Sequence, residues 1–127
     1  MRRHSLGFTL IELLVVVAIL GIISAIGVVA YNGYKASAEQ KKAELTLNSI
    51  YLAEEEYKSN NGSYFESSSA KEISDELFDG KNEDDFKKQS YQFSITVSGD
   101  TFIIRAKHKT GCTLTLNEKN KLTPSNC

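Results

Sequence analysis

From Phe8 to Ala30 the chain reads FTLIELLVVVAILGIISAIGVVA, a run in which Glu12 is the only charged side chain and Thr9 and Ser24 are the only hydroxyls. About 23 residues at ~1.5 Å rise give roughly 35 Å of helix, enough to cross a hydrocarbon core of about 30 Å. From Tyr31 to about Lys58 there is no proline, alanine and leucine recur, and charges alternate in sign, so the helix is expected to continue over residues 31–58. At about 100° per residue, Ala36, Ala43, Leu47, Ile50 and Tyr57 line one stripe, while Tyr34, Ala38, Leu45 and Leu52 line nearly the opposite one. A helix in a monomeric domain needs only one buried face. The second stripe therefore hints at subunit contact, against the plainer reading of scattered exposed apolar residues.

Beyond the helix the pattern changes. Asn60-Asn61-Gly62-Ser63 supplies a stop, with Asn61 or Gly62 able to take positive φ, and Tyr64 and Phe65 are expected to fold back on the helix. Asn61-Gly62-Ser63 also fits the glycosylation pattern, but a three-residue match is cheap and the segment reads as a turn. Ser69-Ala70-Lys71-Glu72 has the form of a capping box, opening a short helix over Ile73, Leu77 and Phe78 that ends at Gly80. The run from Asp79 to Asp85 reads as a solvated acidic loop, because its carboxylates lack the spacing of an EF-hand. The remainder alternates with period two. Tyr91, Phe93, Ile95 and Val97 give one buried strand face, Gly99-Asp100 a turn, and Phe102 and Ile104 the next strand. Leu114 and Leu116 mark a third strand and Leu122 a short fourth. The expected architecture is α+β: a long N-terminal helix packed on an antiparallel meander of three or four strands, with residues 59–127 as the head.

Size and charge refine this picture. Of 127 residues, little more than ninety follow the apolar run, so the soluble core is small and calls for a staple, a partner or docking on another element. Cys112 and Cys127, if oxidised, would close a loop of about 15 residues, worth on the order of 3 kcal/mol, and that fits an exported chain. The 15 basic and 16 acidic side chains nearly cancel, which argues against a general electrostatic affinity for nucleic acid. Arg105, Lys107, Lys109, Lys119 and Lys121 gather late in the chain and read as a solvated face, with DNA binding the rival.

Arg2 and Arg3 stand just before the apolar run, so the leader should stay cytoplasmic and the chain after Ala30 should be exported. Three readings compete here: an ordinary secretory signal cut after Ala30, an anchor that keeps its first residues, and a segment cut just ahead of Phe8. Signal cores run about 7–15 apolar residues, and a carboxylate inside one costs insertion energy with no return. Glu12, only ~6 Å along the axis from Phe8, either snorkels to the headgroups or finds a cation at its own depth. Cutting after Gly7 creates one, since an α-amino group with pKa about 8 is cationic at neutral pH.

Gly7-Phe8-Thr9-Leu10-Ile11-Glu12, followed by the long apolar run with Ala18 and Gly21 and by Ala30-Tyr31-Asn32-Gly33-Tyr34, resembles the N-terminus of type IV pilins and pseudopilins. The resemblance covers about 30 residues. It implies that residues 1–7 are a leader removed by a membrane-embedded prepilin peptidase, with Gly7 required at the cut and the new amine of Phe8 methylated. Residues 8–30 then form a transmembrane helix that becomes the filament core, with Glu12 paired to the Phe8 amine of a neighbouring subunit. Loss of Arg2 and Arg3 takes the 15 basic side chains to 13 against 16 acidic, a formal charge of −3. The implied partners are further copies of the chain in a helical filament, the prepilin peptidase, the inner-membrane assembly platform and its ATPase. The implied location is the inner membrane, then the cell-surface pilus. A disulfide between Cys112 and Cys127 resembles the C-terminal loop of type IV pilins, which the main pseudopilins generally lack. At position 29 this chain has Val where many major pilins have proline; minor pilins and pseudopilins depart there more freely, and Gly21 and Gly27 are the alternative points at which the helix could melt in a filament.

No catalytic constellation, cofactor motif or Cys/His metal spacing accompanies these features, and His108 is the single histidine after the leader. The expected roles are a structural filament subunit, a minor pilin or pseudopilin that primes or tips a filament, and a membrane-anchored binding domain that never polymerises. Twitching, adhesion, DNA uptake and secretion share this N-terminal machinery, and the head carries no motif that decides among them.

Overall fold

The computed structural model describes residues 7–81 and 83–127; the expected leader residues 1–6 and Asn82 lie outside the described residues. The chain divides into two units, Met1–Ser37 and Ala38–Cys127, with helix α1 (Leu10–Asn61) running through both.

In the first unit the helix passes without a break through Gly21, Gly27 and Gly33. Its apolar stretch, with mean hydropathy 3.0, is long and apolar enough to cross a membrane. Leu13, Val17, Ile19, Leu20, Ile23 and Ile26 are all exposed. So continuous an apolar surface is stable only when lipid or other helices cover it.

In the second unit the helix is amphipathic. Ala43, Leu47, Ile50 and Glu54 form its buried stripe at spacings of four, three and four. Ala43, Leu47 and Ile50 are as expected. Ala36 lies outside the core, Tyr57 is half-buried, and Glu54 replaces them as the surprise. The opposite stripe is bare: Leu45 is 67% and Leu52 68% exposed. The helix ends at Asn61, three residues beyond the expected Lys58, and Gly62 takes φ 82° while its N–H donates to the Lys58 carbonyl at 2.7 Å.

Four strands follow as an antiparallel meander in the order β1 (Tyr91–Ser98), β2 (Thr101–His108), β3 (Thr113–Asn117) and β4 (Leu122–Ser125). Alternation sets the faces as read: Tyr91, Phe93 and Ile95 of β1, Phe102, Ile104 and Ala106 of β2, and Leu114 and Leu116 of β3 point inward. Register agrees, with Ile95 opposite Ile104 and Ile104 opposite Leu116. Gly99 makes the β1–β2 turn at φ 60°. These inward rows and the Ala43–Leu47–Ile50 stripe join in one core with Ile73 and Phe86. Strand β4 is an edge strand, which is why it tolerates Pro124.

Between helix and sheet the structure departs from the reading in three places. The capping box at Ser69 does not form: helix α2 (Ala70–Phe78) begins after Ser69, whose side chain makes no cap. Ser67 takes over, donating its hydroxyl to Glu72 at 2.5 Å and accepting the Ser69 N–H at 3.0 Å, while its backbone bridges Ile95 of β1. The closing residue of α2 is Asp79 in the left-handed region at φ 55°, one residue before the expected Gly80. The acidic stretch is not wholly a loop, because Glu83–Lys88 forms helix α3 and buries Phe86 against Phe78 and Phe93. Its first turn is acidic and its last basic, the arrangement that a helix dipole favours.

Tyr64 and Phe65 do fold back. Phe65 meets the Tyr57 ring at 5.6 Å; Tyr64 packs at a tilt on Phe102, ring centroids 4.5 Å apart, and donates its hydroxyl to Glu55.

Candidate functional site

Gly7, Phe8 and Thr9 are non-helical, and the first helical residue is Leu10. Gly7 has open space around it and Phe8 is 86% exposed. The Gly7–Phe8 peptide bond is thus accessible and free of helical hydrogen bonding. A protease needs both, because it must hold the scissile backbone in an extended form.

Immediately downstream lies a reciprocal pair. The Glu12 N–H donates to Thr9 Oγ1 at 3.3 Å, and the Thr9 N–H donates to Glu12 Oε2 at 3.4 Å. Leu13 N–H reaches the Thr9 carbonyl at 3.2 Å. Thr9 is therefore the N-cap, Glu12 the third helical residue, and the two form a capping box. The Thr-x-x-Glu spacing carries this use of Glu12, which the search for a cation partner alone does not find. The carboxylate also sits where the helix dipole favours negative charge. Among the described residues its Oε1 has no hydrogen-bond partner, so the capping box leaves that oxygen free for a cation.

At the other end of the chain, Cys112 and Cys127 form a disulfide across 15 residues with Cα atoms 4.6 Å apart. Cys112 is buried, with the Tyr91 hydroxyl 3.3 Å from its sulfur. The bond lies beside the Thr113–Ser125 register pair, so it pins the short edge strand β4 to the sheet.

Glu54 is the group that the sequence reading passed over. It is fully buried, and both its carboxylate oxygens accept the Phe65 N–H at 3.2 Å. Burial pushes its pKa up from 4.5 to about 7; the Phe65 N–H opposes the rise and the Glu55 charge adds to it. Its spacing placed it on the buried stripe all along.

The five basic residues do not gather at one end of the sheet. Arg105 and Lys107 are exposed on the outer side of β2, with Lys109 in the turn that follows. Lys119 and Lys121 flank the β3–β4 turn, at the end of the sheet where Ile103 pairs with Asn117. His108 faces Glu39 at 3.8 Å and packs at a tilt against the Tyr91 ring.

Residues 2–28 match the family described as the prokaryotic N-terminal methylation motif. The chain is similar to the type IV major pilin protein PilA of Myxococcus xanthus, 40% identical over 46% of this chain and 26% of that protein. It is 39% identical to the type IV major pilin protein PilE1 of Neisseria gonorrhoeae over 55% of this chain and 42% of that protein. A third relative is the type II secretion system core protein G of Aeromonas hydrophila, 38% identical over 50% of this chain and 44% of that protein. The chain thus matches less than half the length of each of these relatives. No solved structure gave a significant match.

Proposed function

We propose that this chain belongs with the type IV pilins and pseudopilins and is a structural subunit of a type IV pilus. In this reading it is cut after Gly7, methylated at Phe8 and polymerised through its N-terminal helix. The observation that carries the reading is the accessible, non-helical Gly7–Phe8 bond directly ahead of a capped apolar helix. The motif and that helix fit an inner-membrane precursor whose later place is the surface pilus.

Residues 1–7 are the leader, 8–30 the membrane and filament-core segment, 31–58 its continuation and 59–127 the head. Cleavage exchanges a neutral amide for an ammonium at Phe8, and methylation keeps that charge. A cation at a helix N-terminus is unfavourable against the dipole, so the new amine needs a carboxylate. Glu12 of a neighbouring subunit supplies it. In the low dielectric of a helix bundle such a pair adds little net stability, but an unpaired charge is heavily penalised, so the pair sets register. The prepilin peptidase, the assembly platform and its ATPase are the partners this role requires. The chain is a substrate and a building block, without catalysis of its own.

A second reading is a minor pilin or pseudopilin, favoured by Val29 in the place where many major pilins have proline and by the similarity to core protein G. The disulfide weighs toward the pilins.

Replacing Glu12 by Val tests the register role. The variant should insert and be cut normally, yet yield at least tenfold less filament; wild-type amounts of filament would refute the role.

A further inference from the structure

We infer that the head domain carries two complementary charged hollows, one acidic and one basic, through which successive copies of this chain dock head to tail. The inference rests on the filament reading above and adds a contact that the helix alone does not supply.

The acidic hollow, about 350 Å³, opens between the end of α1 and the end of α2. Glu56, Glu76 and Asp79 line it beside Asn60 and Asn61, with no basic side chain among its lining residues. The basic hollow, about 500 Å³, lies where β1 begins and β2 ends. Lys107 and Lys109 line it with His108 and Gln92, and no carboxylate is among its lining residues. Lys109 and Gln92 also border a neighbouring hollow of about 540 Å³, where Lys87 is already paired with Glu83.

These charges are uncommitted. Among the described residues the ion pairs use Lys41, Lys58, Lys71, Lys87 and His108 with Glu44, Asp100, Asp75, Glu83 and Glu39. Glu56, Glu76, Asp79, Lys107 and Lys109 take part in none of them.

The hollows also lie at opposite ends of the domain. The basic end is tied to the start of the head's helix segment, through His108 on Glu39 at 3.8 Å and Gln89 on Thr46 at 2.9 Å. The acidic hollow is built on Ala53, Glu56, Tyr57 and Asn60. From Glu39 to Glu56 the helix rises roughly 25 Å at about 1.5 Å per residue. Two different patches at opposite ends make a heterologous contact, which propagates instead of closing into a dimer. Exposed ion pairs contribute little strength each, but like charges brought together are rejected. The contact therefore selects the order and direction of stacking, while the apolar helices supply the binding energy.

The test is charge exchange in the full chain, assembled in cells and read as sheared filament per cell. Lys107→Glu with Lys109→Glu, and separately Glu56→Lys with Glu76→Lys, should each lower filament yield about tenfold. All four together should restore it to within about twofold of wild type. Intact Cys112–Cys127 and normal amino-terminal processing in each variant show that the fold and membrane steps survive. A variant that fails this check is replaced by its Gln counterpart, for which a smaller loss is expected. Independently, Glu76→Cys with Lys109→Cys should give a ladder of cross-linked oligomers on mild oxidation of intact filaments. Unchanged yield in both charge variants, loss without rescue in the fourfold variant, or absence of the ladder would overturn the inference while leaving wild-type filaments in place. A wild-type chain that is processed yet absent from every filament would instead overturn the filament reading beneath it.

Discussion

Replacing Glu54 by Gln isolates the one buried carboxylate among the described residues of the head. In the folded chain its pKa rises from 4.5 to about 7, first because burial disfavours the charged form. The folded state therefore holds this proton more tightly than the unfolded state. The stabilisation linked to the proton is complete below about pH 4.5, fades as pH rises toward 7, and is gone above the folded pKa. At about 1.4 kcal/mol for each factor of ten in proton affinity, the full span is about 3 kcal/mol. That is a large fraction of the roughly 5–15 kcal/mol that holds a domain together. Gln keeps a carbonyl oxygen for the Phe65 N–H, which Glu54 accepts at 3.2 Å, and cannot ionise. The assay is denaturant unfolding of the detergent-solubilised full chain between about pH 4 and pH 8.5, followed by the near-ultraviolet signal of the tyrosines. Wild type minus Glu54→Gln removes the contributions of the other carboxylates. That difference should fall by about 3 kcal/mol between pH 4.5 and 7.5 and then level off. A difference that is flat across the range, or that rises with pH, would refute the reasoning.

Gly7→Val should leave an uncut precursor in the membrane, because a branched side chain enters the position that the resemblance requires to be glycine; immunoblotting reads the mass of the uncut chain. Reduction of Cys112–Cys127, which closes 15 residues, should lower head stability by about 3 kcal/mol without altering processing, as read by unfolding with and without thiol. Leu47→Ala, in a fully buried position against the sheet, should lower stability by about 2–5 kcal/mol in the same assay.

The strands were legible because their signal is local: Tyr91, Phe93 and Ile95 alternate with polar neighbours, and Gly99 and Gly111 mark the turns. The long helix was legible from composition alone. What the pattern hid was set by contacts distant in sequence. Ser67 displaces Ser69 as the partner of Glu72 only because the segment is drawn onto β1 at Ile95. Helix α3 is too short to show a period, and Phe86 orders it by packing on Phe78 and Phe93. Glu54 stood in plain sight on the 43–47–50–54 spacing, but a carboxylate on a buried stripe contradicts the usual sorting of side chains. The Thr9–Glu12 capping box was also local and readable, and it gives Glu12 a task within its own helix before any neighbour arrives.

The central claim is that the cut after Gly7 creates the charge that Glu12 serves, and intact-mass and fragmentation spectrometry of sheared surface filaments tests it most directly. The predicted result is a chain beginning at N-methylated Phe8 with the remaining sequence intact. A mature chain that begins at Met1, or after Ala30, would contradict it.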